Sequence, residues 1–407
     1  MTTMTGLNVL ASGALEYPFS RVKDLLAPHT PGMEPVIDLT LGEPRETMPG
    51  FLVDKIAEAQ ALFAKYPPIR GSDALRGSIA DWIGRRYGIS GKVDPARHIL
   101  PVNGSREGLF FACLPAVGRK RVADGVIPAV AMCNPYYAAY IGAALATNAE
   151  PVYLNATAQT GHLPDLDQLA ADTPLLSRLA ALYVCSPANP QGAVASRAYI
   201  AKALALARAH DFMLFFDECY SELYSHEPPT GGLEVAAATA EGFANIVVFN
   251  SLSKRSNLPG LRSGFAAGDA HFLDTLANIR NLIGPQMPGP TQSASAAIWS
   301  EEQHAVSNRL AYTRKFDVCD ELLAGRFGYE RPAGGFFLWL DMGQFGGGVE
   351  ATLTIWQRAG VKVLPGVYLA QTGLDGTNPG TDYVRVALVA PEASIREALT
   401  RVVSVFA

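Results

Sequence analysis

The chain has 407 residues, 49% hydrophobic and 17% charged, which is the balance of a compact globular protein and too many residues for one ordinary core. A formal net charge of −5 argues against a nucleic-acid partner, which needs a basic face, and the short cluster Arg119-Lys120-Arg121 reads as a solvated loop. Five cysteines (Cys113, Cys133, Cys185, Cys219 and Cys319) include no CxxC pair, predicting reduced thiols in a cytoplasm rather than a disulfide frame or a zinc site.

The opening stretch through Tyr17-Pro18-Phe19 has no basic leader, so no signal peptide is expected. No long apolar run occurs, so no membrane span is expected either. Val36 to Thr40 reads as a short strand that ends at Gly42-Glu43-Pro44. Residues 73–87 carry Leu75, Ile79, Trp82 and Ile83 at a helical period, with Asp73 near the expected cap. Ile99 to Val102 is a predicted strand, followed by the turn Asn103-Gly104-Ser105 and a helix from Glu107. Strands are predicted over 181–185, 212–216 and 246–250, with a helix over 199–210. Strands alternating with helices indicate an α/β domain with a mainly parallel sheet, whose ligands sit at the carboxyl ends of strands. After the Gly/Pro-rich residues 284–290 the pattern changes to a long helical stretch over about 291–325, a strand signal over 334–340, a helix, and short strands around 361 and 384. This predicts a second, α+β domain.

Four polar clusters fall just past predicted strands: Gly104-Ser105-Arg106, Ser186-Pro187-Ala188-Asn189-Pro190, Asp217-Glu218-Cys219-Tyr220 and Ser251-Leu252-Ser253-Lys254. Singly, each has a plain structural use: a helix start, a turn, a cap, an exposed lysine. The intervals from Asn189 to Asp217 and from Asp217 to Lys254 each leave room for a crossover between neighbouring strands, so together the clusters would line one end of one sheet.

With these motifs, from Tyr66-Pro67-Pro68-Ile69-Arg70-Gly71 through Ser251-Leu252-Ser253-Lys254 to Tyr383-Val384-Arg385-Val386-Ala387, the sequence resembles the class I/II aminotransferases of pyridoxal-phosphate fold type I over nearly its whole length. The resemblance implies a large cofactor-binding domain over 46–290, an N-terminal arm and part of the small domain over 1–45, and a C-terminal small domain over 291–407. It implies that Lys254 holds pyridoxal 5′-phosphate as a Schiff base and then moves a proton. Asp217 keeps the ring nitrogen protonated, and Tyr220 and Asn189 serve the phenolic oxygen. Arg262, Ser253, Ser251 and the helix start at Gly104, Ser105 and Arg106 cup the phosphate. Tyr137 stacks on the ring, while Arg385 grips the substrate α-carboxylate near Gly42 and Asn189. Tyr66 reaches the phosphate of a neighbouring subunit, implying a homodimer.

Within the family, Tyr17-Pro18-Phe19, Leu41-Gly42-Glu43-Pro44-Arg45, the stretch Ser253 to Phe265 and Leu388-Val389-Ala390-Pro391 look like the N-succinyl-diaminopimelate aminotransferases of bacterial lysine biosynthesis, which use glutamate as the partner substrate. A second carboxylate on both substrates calls for a second cation, and Arg45 and Arg255 are the candidates. The alternatives are an aspartate, aromatic or alanine aminotransferase of broad specificity, or a β-lyase on the same fold. A cofactor-binding transcription regulator is disfavoured because no DNA-binding domain precedes the α/β portion.

Overall fold

The computed structural model describes residues 6–12, 15–284, 286–373 and 376–407. The first five residues of the leader reading, and Pro285 within the Gly/Pro-rich stretch, lie outside the described residues. In chain order the strands are β1 (Ile37–Asp38), β2 (Ile99–Val102), β3 (Ala129–Asn134), β4 (Glu150–Asn155), β5 (Leu179–Cys185), β6 (Met213–Asp217), β7 (Ile246–Ser251), β8 (Gly264–Gly268), β9 (Phe337–Asp341), β10 (Val361–Lys362), β11 (Leu364–Pro365) and β12 (Tyr383–Ala387).

A central sheet has the order β2-β8-β7-β6-β5-β3-β4, with β8 antiparallel to both its neighbours and the remaining pairs parallel. Its inner strands are covered on both faces. On β6, Leu214 and Phe216 enter one core while Met213 and Phe215 enter the other, so a period of two is hidden inside a continuous apolar run. The sequence reading did not place β3, β4 and β8. The residues of β8, Gly-Phe-Ala-Ala-Gly, have little strand preference of their own, and burial between β2 and β7 decides their conformation.

The helix over Asp73–Tyr87 forms as the apolar period predicts, but its cap is Ser72, whose hydroxyl accepts from the Leu75 N–H at 3.3 Å; Asp73 is the first helical residue. The helix expected from Glu107 starts two residues earlier and spans Ser105–Arg119. The long helical stretch expected over 291–325 is two helices, Gly289–Ser300 and Gln303–Leu323. Between them Glu301 is extended, and its carboxylate accepts from the N–H groups of Gln303 and His304 at 2.7 and 3.1 Å, satisfying donors that a new helix start exposes. The helix Gly289–Ser300 packs on the helix Asp73–Tyr87 and places Ala294, Ile298 and Trp299 in a core of the large sheet. Residue 290 thus falls at the start of a helix that stays with that sheet.

A smaller antiparallel sheet, β11-β12-β9, and the parallel pair β1-β10 complete the fold. Leu39, Leu338, Val384, Ile395 and Leu399 share their core, which ties the segment after β1 to the last third of the chain. Only Ile37–Asp38 of the strand expected over 36–40 pairs with a neighbour. The whole is a mainly parallel α/β sheet beside a smaller α+β layer, the architecture expected from the sequence. Among the described residues, no helix is long and apolar enough to cross a membrane.

Candidate active site

The register of the large sheet assembles the site. Cys185 of β5 lies opposite Asp217 of β6, and Asp217 lies opposite Phe249 of β7, so the segments that follow these residues leave the sheet at one edge. There they meet the start of the helix Ser105–Arg119 and the end of β12. A cavity of about 1200 Å³ opens at this edge. Gly42, Ser105, Arg106, Tyr137, Asn189, Asp217, Tyr220, Ser251, Ser253, Lys254, Arg262 and Arg385, each singled out from the sequence, line it.

Asp217 is buried at its floor. The backbone N–H of Cys219 donates to Oδ1 at 3.2 Å, and the hydroxyl of Tyr140 donates to Oδ2 at 2.7 Å. Burial raises this carboxyl above its ordinary range, and the donors from Cys219 and Tyr140 pull it back. Tyr140 is held in turn by stacking on Tyr183, with ring centroids 4.5 Å apart. The sequence reading missed Tyr140. Its position three residues after Tyr137, one helical turn on, was the available signal.

Lys254 sits in the short helix Leu252–Arg255, with its amine donating to the carbonyl of Gly42. Burial, reinforced by the positive charge of Arg385, lowers that amine to about 8. Arg385 donates to Asn189 Oδ1 at 3.3 Å and to the Thr40 carbonyl at 2.6 Å, and its guanidinium lies 4.4 Å from the centroid of the Phe337 ring. Its buried Nε has no acceptor among the described residues.

At the other end, Ser251 Oγ accepts from the Ser253 N–H at 3.1 Å, and Arg106 donates through Nε to the Tyr137 hydroxyl. Arg262 donates to the carbonyls of Pro259 and Asn103 at 2.8 and 3.1 Å. Gly104 does not line the cavity but shapes it. Its φ of +78° suits glycine, and a Cβ there would stand 2.4 Å from Arg262 Nη2.

Two other expectations change. Arg45 is exposed and lines a separate groove with Asp38, Glu397 and Arg401, because the chain beyond Glu43 turns away from the cavity. Arg255 is buried away from the cavity: one residue after Lys254, it points about 100° around the axis of the short helix. There it pairs with Glu302 at 3.0 Å, donates to the carbonyls of Ile298 and Glu301, and lies 5.2 Å from the Trp299 ring centroid. Neither arginine faces the cavity. Tyr66 is fully exposed and does not reach the cavity of its own chain.

The sequence model of the family "Aminotransferase class I and II" matches residues 34–402. The chain belongs to that family. Solved relatives of this aminotransferase include an aminotransferase from Neisseria meningitidis, 36% identical with a TM-score of 0.90 over 96% of this chain and 98% of that one. Another is the aminotransferase AspB from Helicobacter pylori, 30% identical with a TM-score of 0.86 over 95% and 97% of the two chains. An LL-diaminopimelate aminotransferase from Desulforudis audaxviator is 30% identical over 95% of this chain and 94% of its own.

Class I and II aminotransferases use pyridoxal 5′-phosphate. The cavity of this aminotransferase fits the group. Asp217 is a buried carboxylate that makes no ion pair among the described residues, which suits a ligand that brings a cation to it, as a protonated ring nitrogen does. At the far end, the start of the helix Ser105–Arg119, the hydroxyls of Ser251 and Ser253, and Arg262 offer the donors that a phosphate dianion requires.

Proposed function

We propose that this aminotransferase moves an amino group between glutamate and the keto acid of N-succinyl-diaminopimelate, in lysine and diaminopimelate biosynthesis, as a cytoplasmic homodimer. When bound, pyridoxal 5′-phosphate supplies the electron-withdrawing ring that makes a substrate α-proton removable. In this reading Lys254 anchors the cofactor and, once released, its amine carries the proton at the substrate α-carbon. An amine near 8 can both take and return a proton near neutrality. Asp217 balances the ring cation, while Asn189 and Tyr220 serve the phenolic oxygen. Tyr137 covers the ring, and Gly104, Ser105, Arg106, Ser251, Ser253 and Arg262 form the phosphate end. Arg385, already oriented by Thr40 and Asn189 and backed by Phe337, takes the α-carboxylate in a bidentate fork beside Gly42.

The observation that carries the substrate reading is the extent of the cavity. Besides the residues assigned to the cofactor and the α-carboxylate, Tyr17, Phe19, Tyr368 and Gln371 line it, and its volume of about 1200 Å³, which cofactor and substrate share, exceeds that of a typical small-ligand pocket. That room suits a long acylated diamino acid better than aspartate or alanine. A second reading, free LL-diaminopimelate as substrate, is favoured by the 30% identity to the enzyme of that name. A half-reaction screen separates the two. Glutamate and N-succinyl-diaminopimelate are expected to discharge the cofactor's visible absorbance faster than LL-diaminopimelate, aspartate, alanine or phenylalanine. Preference for the free diamino acid selects the second reading, and efficient phenylalanine turnover without reaction of the succinylated substrate selects a broad-specificity enzyme.

The homodimer reading rests on Tyr66, whose wholly exposed ring is free to enter a partner's site. Mixing Lys254→Ala with Tyr66→Phe subunits is expected to restore activity above both parents, since one hybrid site then has both residues intact. No gain after verified subunit exchange refutes the sharing.

A further inference from the structure

The reading above requires a cation for the carboxylate at the acyl end of the substrate, and Arg45 and Arg255 do not supply it. Of the cations that do line the cavity, Lys254, Arg106, Arg262 and Arg385 each donate to a protein acceptor. Arg21 differs. Among the described residues its side chain has no hydrogen-bond acceptor, and its one ionic neighbour is Glu16, whose Oε2 lies 3.5 Å from Nε and which is itself largely exposed. Such a solvated pair contributes little and leaves both terminal nitrogens available.

The guanidinium is nevertheless fixed. Its Cζ lies 3.8 Å above the centroid of the Tyr368 ring, a stacked arrangement that holds the plane and leaves the nitrogen edge open for a planar anion. Its mount is the helix Pro18–Leu26, which begins with Pro18 and anchors itself through buried Val22 and Leu26 against Trp356 and Leu364. The same helix carries Phe19, whose ring centroid lies 5.8 Å from the Arg385 guanidinium. One helix thus sends both Phe19, beside the arginine that takes the α-carboxylate, and Arg21 to the lining of the cavity. The wall beside Arg21 is also held: Gln371 donates to the Tyr136 hydroxyl at 2.9 Å, and the Tyr136 N–H donates to the Leu369 carbonyl at 3.0 Å.

We infer that Arg21, stacked on Tyr368, binds the terminal carboxylate of the substrate's acyl chain and so determines the preference for a dicarboxylic acylated substrate. This assignment rests on the succinyl-diaminopimelate reading. The test compares N-succinyl-diaminopimelate with its N-butanoyl analogue, in which a methyl group replaces the acyl carboxylate, in wild-type, Arg21→Gln and Arg21→Lys holoenzymes. Wild type is expected to prefer the succinyl substrate in kcat/KM by about ten- to a hundredfold. Arg21→Gln is expected to bring that ratio close to one, and Arg21→Lys to restore part of it. A purely structural role for Arg21 would slow both substrates alike and leave the ratio intact, which overturns the assignment while the substrate reading stands. If wild type turns over neither acylated substrate yet reacts with glutamate, the substrate reading fails and the assignment falls with it.

Discussion

Lys254→Ala is expected to lower turnover by at least about five orders of magnitude, equivalent to about 7 kcal/mol of barrier. On the roles proposed for Lys254, two functions are lost at once: the covalent anchor, and the amine that carries the proton at the substrate α-carbon. Among the described residues no other lysine lines the cavity to take its place. Borohydride reduction of the wild-type holoenzyme followed by peptide mapping should place the cofactor on Lys254, and a label on another lysine would end this assignment. The environment of the amine adds a pH signature. Only the neutral amine attacks, and burial together with the charge of Arg385 lowers Lys254 to about 8 from an ordinary 10.5. Capture of the cofactor by the apoprotein should therefore accelerate as pH rises through about 8 and level off above it. A rate still climbing toward pH 10.5 would contradict the burial argument.

Asp217→Asn is expected to fold and to bind cofactor, yet to turn over at least about a thousandfold more slowly, about 4 kcal/mol. The amide keeps the size of the side chain; its one oxygen can accept from the Cys219 N–H, and the Tyr140 hydroxyl can turn to accept from the amide N–H, so packing changes little. What disappears is the negative charge that a protonated ring nitrogen needs in a buried site. Near-normal turnover by the variant, measured alongside an unchanged cofactor content, would remove Asp217 from the catalytic assignment.

Asn189, Asp217 and Lys254 could be found from the sequence because each closely follows a continuous apolar strand, and parallel pairing brings the ends of such strands together. β8 could not be found, since its Gly and Ala residues become a strand only through the neighbours that enclose them. The failure of Arg255 has a different origin. Sequence neighbours on a helix face different directions, so a residue beside Lys254 is among the least suited to share its pocket. Tyr140 and Arg21 were missed because their importance lies in what they touch, a carboxylate 77 positions away for one and the ring of Tyr368 for the other.

The antiparallel strand β8 has a mechanical consequence. Because Ser251 of β7 pairs with Gly264 of β8, the segment carrying Ser253, Lys254 and Arg262 is a single loop clamped at both ends by the same two strands. The spacing between the cofactor's covalent anchor and its phosphate cation is thus an internal dimension of one hairpin, while Arg385 belongs to the smaller sheet and meets the larger one through Asn189. With the roles proposed for Lys254, Arg262 and Arg385, a shift of the smaller layer would alter the grip on substrate while the distance from anchor to phosphate cation stays set within the hairpin.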